Sequence, residues 1–258
     1  MPTYIDLCLE SWARHAGAES ITRVSLENIE QVTDGALTAR QLRLFTPPQR
    51  SDAAMITVMN GREGLFMDAD TLLLPSFDPK RYFESPVPTM YAKGGKEAVE
   101  PMLAFLANPN VESRFLGDWA VKTLAAIARE DRSPARRLRR LYRSVLGKRV
   151  HVRWDYLGAA ILNKLVSNQD LRGSAQFLDA QGTGFLPEVE RPDYGPDSVN
   201  SYWLGANTDA AFASGDYPHG IVTFQNSWMP TDIKALGRRD LLSHPSRLGR
   251  LFSHSLGQ

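Results

Sequence analysis

The sequence predicts an α/β fold. Helix-like and strand-like patterns alternate along the first 75 residues, and one short apolar segment, residues 65–75, contains two aspartates separated by an alanine, Asp68 and Asp70. The residues on both sides of this pair are typical of strands. In open α/β sheets, ligands bind beyond the carboxyl ends of the strands. Residues 65–75 therefore predict both a strand and a binding site at its end.

The composition is that of a folded globular protein. Of its 258 residues, 43% are hydrophobic and 23% are charged, so the chain can bury a large core. The formal net charge of +1 argues against nucleic-acid binding, which normally requires a strongly basic domain. A single cysteine, Cys8, excludes an internal disulfide. No apolar run approaches the roughly 20 residues that span a bilayer, so we expect a cytoplasmic protein.

The first 64 residues predict three helices and one strand. An amphipathic helix is expected to open at Pro2 and end at residues 15–17, with Trp12 in the core. A strand over 21–26 and a helix over 36–45 follow, and the prolines at 47 and 48 are expected to stop that helix. The next helix is predicted with Ser51 as its N-cap and Asp52 in its first turn, ending at the glycines 61 and 64.

Beyond residue 80 the patterns are mainly architectural. They predict a basic glycine turn over 91–96, an apolar helix through residues 102–106, a helix over 115–126, a strand over 149–153 and a helix over 155–166. The proline- and glycine-rich segment 182–215 is predicted to be a long irregular loop whose aromatic side chains contact an acceptor. A strand over 221–224 then leads to Asn226, Ser227 and Trp228.

A basic amphipathic helix is predicted within residues 132–149, where arginine and lysine alternate with leucine, tyrosine and valine. One interpretation is a solvated face on a surface helix. The other is docking to an anionic membrane or an acidic glycan acceptor, since each basic residue near such a surface adds about 1 kcal/mol. The second interpretation predicts peripheral contact with the inner face of the membrane.

Asp68 and Asp70 require a partner, because an unpaired carboxylate in a buried segment loses several kcal/mol of hydration. The simplest partner for two acids at this spacing is a divalent cation. Oxygen ligands favour Mg²⁺ or Mn²⁺, which usually bind together with substrate phosphates. The pair therefore predicts a metal–diphosphate site.

Four motifs follow one another along the chain: Pro-x-Tyr-x-x-x-Cys-Leu-x-Ser-Trp over 2–12, Ser-Asp-Ala-Ala over 51–54, Asp-x-Asp over 68–70 and Asn-Ser-Trp over 226–228. Their order resembles the DXD-containing sugar-binding glycosyltransferases, which include capsular polysaccharide synthesis proteins and initiating mannosyltransferases. The similarity is clearest over residues 2–75 and resumes at 226–228, whereas residues 80–215 align only loosely.

The resemblance implies one GT-A domain over residues 1–258, with a Rossmann-like mixed sheet flanked by helices, an added helical segment and a long irregular loop. Residues 1–80 would form the donor half, 81–215 the helical acceptor part and 216–258 the closing segment. The implied activity is Mn²⁺- or Mg²⁺-dependent, retaining transfer of a sugar from a UDP- or GDP-sugar. The acceptor would be a polysaccharide, a glycolipid or another lipid-linked glycan.

The resemblance also implies roles for individual residues. Asp52, Asp68 and Asp70 would be catalytic: Asp52 would hydrogen-bond the donor sugar, Asp68 would contact the sugar or ribose and the metal's water shell, and Asp70 would ligate the metal. Ser227 and Trp228 would contact the diphosphate. Asn226 would belong to the same substrate-binding segment.

The chain departs from the family pattern in four places. Met55 stands where the family usually has an arginine near the diphosphate, and only Arg50 or Arg62 could replace it. The family's first strand would fall before residue 1, and the glycine pair before the acidic strand is Glu63-Gly64. A histidine or acid usually precedes the Ser-Trp motif. The residues that would have to serve here are Gln225, Asn226 or His219.

Two alternatives remain open. The chain could be a catalytically degenerate glycosyltransferase-like module that only binds a glycan or a partner. It could also be a haloacid-dehalogenase-like phosphatase, whose first aspartate forms an aspartyl-phosphate. In that family a threonine falls four residues after the first acid, whereas Thr71 falls three after Asp68.

Overall fold

The computed structural model describes residues 1–17, 21–93, 100–134, 156–168, 171, 173–180, 195–205 and 217–257. Within these ranges the helices are α1 (Thr3–His15), α2 (Ile29–Val32), α3 (Ala39–Leu42), α4 (Pro47–Met59), α5 (Arg114–Arg132), α6 (Ala159–Val166), α7 (Pro196–Leu204), α8 (Thr231–Ala235), α9 (Arg238–Leu242) and α10 (Arg247–Leu256). The strands are β1 (Gly64–Met67), β2 (Thr71–Leu73), β3 (Thr89–Lys93), β4 (Glu100–Asn108), β5 (Gln176–Asp179) and β6 (Ile221–Thr223). The α/β class is confirmed.

The chain divides into two compact units, each built from separated stretches of sequence. Unit 1 contains Met1–Ile21, Met67–Arg81 and Asp179–Gln258, and unit 2 contains Thr22–Phe66 and Tyr82–Leu178. The single domain over 1–258 stays a prediction. Among the described residues, no helix combines the length and the apolar character needed to cross a membrane.

Unit 2 is organised around a four-stranded sheet with the order β1-β4-β3-β5, in which β3 and β4 are antiparallel. Apolar side chains of α4, α5 and α6 pack together with those of the sheet, among them Met55, Phe115, Trp119 and Leu162. A second apolar cluster joins α2, α3, α4 and α5. Most of the helical and sheet structure of residues 22–178 is therefore explained by two adjoining cores.

Unit 1 is organised around a smaller, two-stranded antiparallel sheet, β2 with β6. Its core combines side chains of both strands with those of α1, α7, α8, α9 and α10. Phe224, directly after β6, is fully buried and stacks with Trp203 of α7 and Phe252 of α10. This packing fixes the ends of β2 and β6, which matters because Asp70 directly precedes β2.

One edge of β2 pairs with β6 through alternate residues. The backbone N–H of Phe224 donates to the carbonyl of Asp70 (2.9 Å), and the N–H of Leu74 donates to the carbonyl of Gly220 (2.8 Å). Because backbone groups of successive strand residues point to opposite edges, residues 71 and 73 direct theirs away from β6. Those groups need other partners.

Side chains of α1 and α10 supply the partners on the outer edge of β2. Trp12 donates through Nε1 to the carbonyl of Thr71 (2.6 Å), and the N–H of Leu73 donates to the Ser11 hydroxyl (2.9 Å). The Ser255 hydroxyl donates to the carbonyl of Leu73 (2.6 Å). Trp12 was predicted to be a core residue, and it is 8% exposed. The strand that follows Asp70 is thus held on both edges.

Ser11→Ala is expected to lower the free energy of unfolding by about 1–3 kcal/mol, because the buried N–H of Leu73 loses its acceptor. Urea unfolding followed by circular dichroism measures the loss. Ser243→Ala is the matched control, since that exposed hydroxyl only donates back to the carbonyl of Arg239. Equal losses in the two variants would contradict a bracing role for Ser11.

Three predicted helices or strands are wrong. Residues 21–26 form no strand, and the predicted helix over 36–45 is reduced to the single turn of α3. Residues 102–106 lie in the strand β4, not in a helix. Consecutive residues Phe105, Leu106 and Ala107 are all fully buried, so this strand has no alternating pattern by which a sequence could distinguish it from a buried helix.

The prolines at 47 and 48 also act differently from the prediction. They occupy the first positions of α4, where a proline fits because its missing N–H would have no intrahelical partner. The side chain of Gln49 accepts from the N–H of Thr46 (3.0 Å), which defines the helix start. Ser51 is therefore not the N-cap, and Asp52 lies in the second turn.

Several predicted segments fall wholly or partly outside the described residues. They are residues 94–96 of the predicted turn, most of the basic segment 132–149, the strand over 149–153 and the start of the helix over 155–166. Residues 91–93 of that predicted turn instead form the end of the strand β3. Of the segment 182–215, predicted to be irregular, the described part contains the helix α7. The helix over 115–126 is confirmed and is longer than predicted, as α5. The strand over 221–224 is confirmed as β6.

Candidate functional site

Asp68 and Asp70 lie in the tight turn that connects β1 to β2. The N–H of Thr71 donates to the carbonyl of Asp68 (2.9 Å), which closes the turn over four residues. Both aspartates are partly buried, whereas Ala69 between them is exposed. The sequence correctly placed the acidic pair at the end of an apolar strand, and the turn directs the two carboxylates to one place in unit 1.

The carboxylate of Asp70 is bound by a backbone group of the closing segment. The N–H of Asn226 donates to its Oδ2 atom at 2.8 Å. Loss of hydration raises the pKa of Asp70 to about 7, and the charge of Asp68 adds to this rise, while the Asn226 N–H opposes it. The two acids therefore repel each other, and a cation bound between them would relieve that repulsion.

Two side chains of α1, one turn apart, lie beside Asp70. Tyr4 and Cys8 are fully buried. Burial raises the pKa of both groups, and the charge of Asp70 raises it further. Both side chains are consequently uncharged at neutral pH. Asp70 therefore has neutral neighbours on its α1 side, which accounts for part of its lost hydration.

The closing segment continues from β6 as a short turn over residues 225–229. The N–H groups of Trp228 and Met229 donate to the carbonyl of Gln225 (2.8 and 3.1 Å). Asn226 and Ser227 are exposed, while Trp228 is partly buried and packs against the core of unit 1. The turn thus presents one amide side chain and one hydroxyl to solvent beside Asp70.

Helix α7 holds this turn from the other side. Asn200 donates through Nδ2 to the carbonyl of Trp228 (2.9 Å), and Trp203 donates through Nε1 to Oε1 of Gln225 (3.4 Å). Residues 200 and 203 lie on one face of α7 because three-residue spacing returns to the same side of a helix. The predicted acceptor loop therefore contributes a helix that supports the closing segment.

The predicted site residues are divided between the two units. Asp68, Asp70, Asn226, Ser227 and Trp228 all belong to unit 1. Their grouping rests on the Asp70–Asn226 hydrogen bond, which joins positions 156 residues apart. The roles proposed for each of them stay predictions.

Asp52 belongs to unit 2. Its carboxylate packs against the turn before α6, where a Cβ atom on Gly158 would lie 2.2 Å from Oδ2. Asp52 is partly buried on the second turn of α4. The structure thus gives Asp52 a packing contact within unit 2, and its role toward a donor sugar stays a prediction.

Met55 and the two arginines considered as its replacement all have structural roles within unit 2. Met55 is fully buried in the core of unit 2, and its position therefore faces apolar neighbours. Arg50 donates through Nε to the carbonyls of Leu42 (3.1 Å) and Phe45 (2.8 Å). Arg62 forms an exposed ion pair with an aspartate at 3.2 Å. Both arginines contact residues of unit 2, which explains them without a diphosphate.

His219 lies at the end of β6 remote from Asp70, so it cannot be the polar residue that precedes the Ser-Trp motif beside that carboxylate. The pairing of Leu74 with Gly220 places residue 219 beyond the end of β2 opposite to Asp70. Leu74 lies four positions after Asp70, a distance of about 13 Å at 3.3 Å per residue. Of the three candidates named from the sequence, only Gln225 and Asn226 lie near Asp70.

The donor set suits a hard divalent cation only in part. Asp68 and Asp70 supply carboxylate oxygens, which Mg²⁺ and Mn²⁺ prefer. Over the described ranges, no three or more histidine, cysteine, aspartate or glutamate side chains cluster closely enough to hold a metal ion. A cation at this turn would therefore take its remaining ligands from water and from the phosphates of a substrate.

Sequence reasoning missed Tyr4, Cys8 and Asn200 as neighbours of the site. Tyr4 and Cys8 belong to the motif at residues 2–12, and their four-residue spacing shows that they share one helix face. That spacing alone could not show which strand the face would meet.

Comparisons of the chain with protein-family models, with curated proteins and with solved structures found no match.

Proposed function

We propose that this chain is a Mn²⁺- or Mg²⁺-dependent glycosyltransferase of the DXD-containing sugar-binding group, with a GT-A fold. The observation that carries the proposal is the hydrogen bond between the Asn226 N–H and Asp70. It joins the acidic pair to the Asn-Ser-Trp segment, and these are two of the four motifs on which the sequence resemblance rests. Two regions widely separated in sequence thus meet in one small site.

The chemistry of sugar transfer fits these groups. The leaving group is a nucleoside diphosphate, whose negative charge grows as the glycosidic bond breaks. A cation held by Asp70 and, through water, by Asp68 would stabilise that charge more in the transition state than in the ground state. The exposed Ser227 hydroxyl would donate to a phosphate oxygen. Trp228 would contact the diphosphate from the same turn.

The donor proposed is a UDP- or GDP-sugar, transferred with retention of configuration to a polysaccharide, glycolipid or other lipid-linked glycan. Asp52 would contact the donor sugar. The basic segment 132–149, most of which lies outside the described residues, would bring the enzyme to an anionic membrane surface or an acidic acceptor. These finer assignments rest on the resemblance and on charge, and they depend on the donor site.

Isothermal titration calorimetry with UDP-, GDP- and dTDP-sugars tests the proposal. We expect binding by one nucleotide class only when Mn²⁺ is present. Ser227→Ala should weaken it by about tenfold or more, because a hydrogen bond to a charged group contributes about 1.5–3 kcal/mol. Ser201→Ala, an exposed serine on α7, is the matched control and should bind as the wild type does.

A glycosyltransferase-like module that binds without catalysis is the second candidate. The burial of Met55 and the internal bonds of Arg50 favour it, since neither position supplies a cation to a diphosphate. Absence of donor binding, in protein that unfolds cooperatively, would favour this candidate over the enzyme. The phosphatase alternative is disfavoured because the Thr71 hydroxyl is buried and bonded to that of Thr223 (3.2 Å).

A further inference from the structure

Asn226 is hydrogen-bonded through both its backbone and its side chain. Its backbone N–H donates to Asp70, and its side-chain Oδ1 accepts a hydrogen bond from the hydroxyl of Tyr4. Tyr4 lies in the first turn of α1, 222 residues away in sequence, and none of its side chain is exposed. Three distant parts of the chain, at positions 4, 70 and 226, are therefore connected through one exposed asparagine.

We infer that Tyr4 is a positioning residue of the proposed donor site. By fixing the Asn226 side chain, it would hold the backbone N–H toward Asp70 and keep Ser227 and Trp228 turned toward the phosphates. This inference rests on the proposed function, because a donor site is what the fixed turn would serve. It assigns to α1 a role beyond packing.

The geometry is more specific than core packing requires. The ring of Tyr4 already packs edge-on against Phe224, with the ring centroids 6.3 Å apart and the planes at 86°. Phe224 is the residue whose N–H bonds to the carbonyl of Asp70. A phenylalanine at position 4 would keep this contact. Within the described part of the chain, the hydroxyl bonds to Asn226 alone, so its removal isolates that bond.

The exposure of Asn226 strengthens the inference. An exposed asparagine side chain can hydrogen-bond to water at no cost, so its stability does not require a protein partner. Its bond gives the buried Tyr4 hydroxyl the acceptor that it needs and at the same time restricts the direction of the turn. Restricted direction is what a phosphate-contacting turn needs, because ordering it before binding lowers the entropy lost on binding.

Tyr4→Phe tests the inference, with Tyr82→Phe as the matched control. Tyr82 is also fully buried, and its hydroxyl is hydrogen-bonded to that of Tyr91 in unit 2. The first measurement is exchange of the Asn226 amide proton with solvent, followed by NMR on asparagine-labelled protein without ligand. The second is Mn²⁺-dependent binding of the UDP- or GDP-sugar that the wild type binds.

In Tyr4→Phe we expect Asn226 exchange to become about tenfold faster and donor binding about tenfold weaker, the effect of losing one hydrogen bond. Asn226→Ala removes the other end of the bond and should weaken binding equally. The double variant should weaken it no further, since both changes break the same link. Tyr82→Phe should leave amide exchange and donor binding unchanged.

Unchanged Asn226 exchange in Tyr4→Phe would overturn the inference, as would equal changes in Tyr82→Phe. Additive losses in the double variant would also overturn it. If exchange accelerates in Tyr4→Phe but the wild type binds no donor, the proposed function fails and the donor-site role of Tyr4 fails with it. In that case the link between Tyr4 and Asn226 is still established by the ligand-free measurement.

Discussion

Replacing Asp70 by asparagine is expected to stabilise the protein at pH 8 while weakening Mn²⁺-dependent donor binding by about a hundredfold. Asp70 has a pKa of about 7 in the folded protein, raised from 3.8 by burial and by Asp68. The folded state thus binds this proton more tightly than the unfolded state. Between about pH 4 and pH 7, stability therefore falls as the pH rises, by at most about 1.4 kcal/mol per pH unit.

Asparagine cannot ionise, so the variant avoids this loss. At pH 8 we expect the variant to be more stable than the wild type by on the order of 2 kcal/mol. This value is smaller than the full pKa shift would give, because Asp70 is partly exposed to solvent. At pH 4, where Asp70 is mostly protonated, the two proteins should be nearly equal in stability. Donor binding should weaken by about a hundredfold or more, because the charged ligand of the cation is lost.

Thermal unfolding at pH 4, 6 and 8, with and without Mn²⁺, measures both effects. Asp78→Asn is the matched control, because that aspartate is exposed in the same unit and should show no gain at pH 8. A variant that is less stable than the wild type at pH 8 would contradict the raised pKa. A variant that keeps Mn²⁺-dependent binding would refute Asp70 as the metal ligand.

Gly220→Ala is expected to destabilise unit 1 by about 3 kcal/mol or more. Gly220 has a φ of +66°, which costs any other residue about 1 kcal/mol or more. A Cβ atom there would also lie 2.3 Å from the backbone nitrogen of Phe77 and 2.6 Å from its Cα. These backbone atoms cannot retreat without disturbing the bond from Leu74 to the Gly220 carbonyl.

Gly17→Ala separates the conformational cost of a positive φ from the steric clash with neighbouring backbone. Gly17 has a similar φ of +58°, but a Cβ atom there would have no heavy atom of the described residues within 4 Å. We expect it to cost about 1 kcal/mol, the conformational part alone. Urea unfolding of both variants gives the comparison. Equal losses would show that the strand end after β2 can move away from Gly220, contrary to the close packing described here.

Local signals predicted the elements that depend on local physics. Helix α1 follows from its apolar spacing, and α5 and β6 follow from theirs. The prolines at 47 and 48 illustrate a limit, because proline both ends one helix and opens the next, and the sequence alone favoured the first role. The strand β4 illustrates another, because burial on both faces removes the alternation that identifies a strand.

The sequence predicted the acidic residues of the candidate site but not the hydrogen bonds that hold them and the neighbouring turn in place. Asp68 and Asp70 stand out because carboxylates are rare in apolar strands, and the segment 226–228 was found through resemblance. Nothing in the sequence indicates that Tyr4 bonds to Asn226 or that Asn200 holds Trp228. Such contacts between distant positions arise only from tertiary packing, which periodicity and capping do not determine.

The distance in sequence between Tyr4 and Asn226 also affects synthesis of the protein. Ribosomes add about 5–20 residues per second, so roughly 10–40 seconds pass between the emergence of the two residues. During that time the apolar face of α1 lacks β6 and α10, the later elements against which it packs. We therefore expect the nascent chain to expose this face until residues 221–256 have been synthesised, which leaves an apolar surface open to aggregation during that interval.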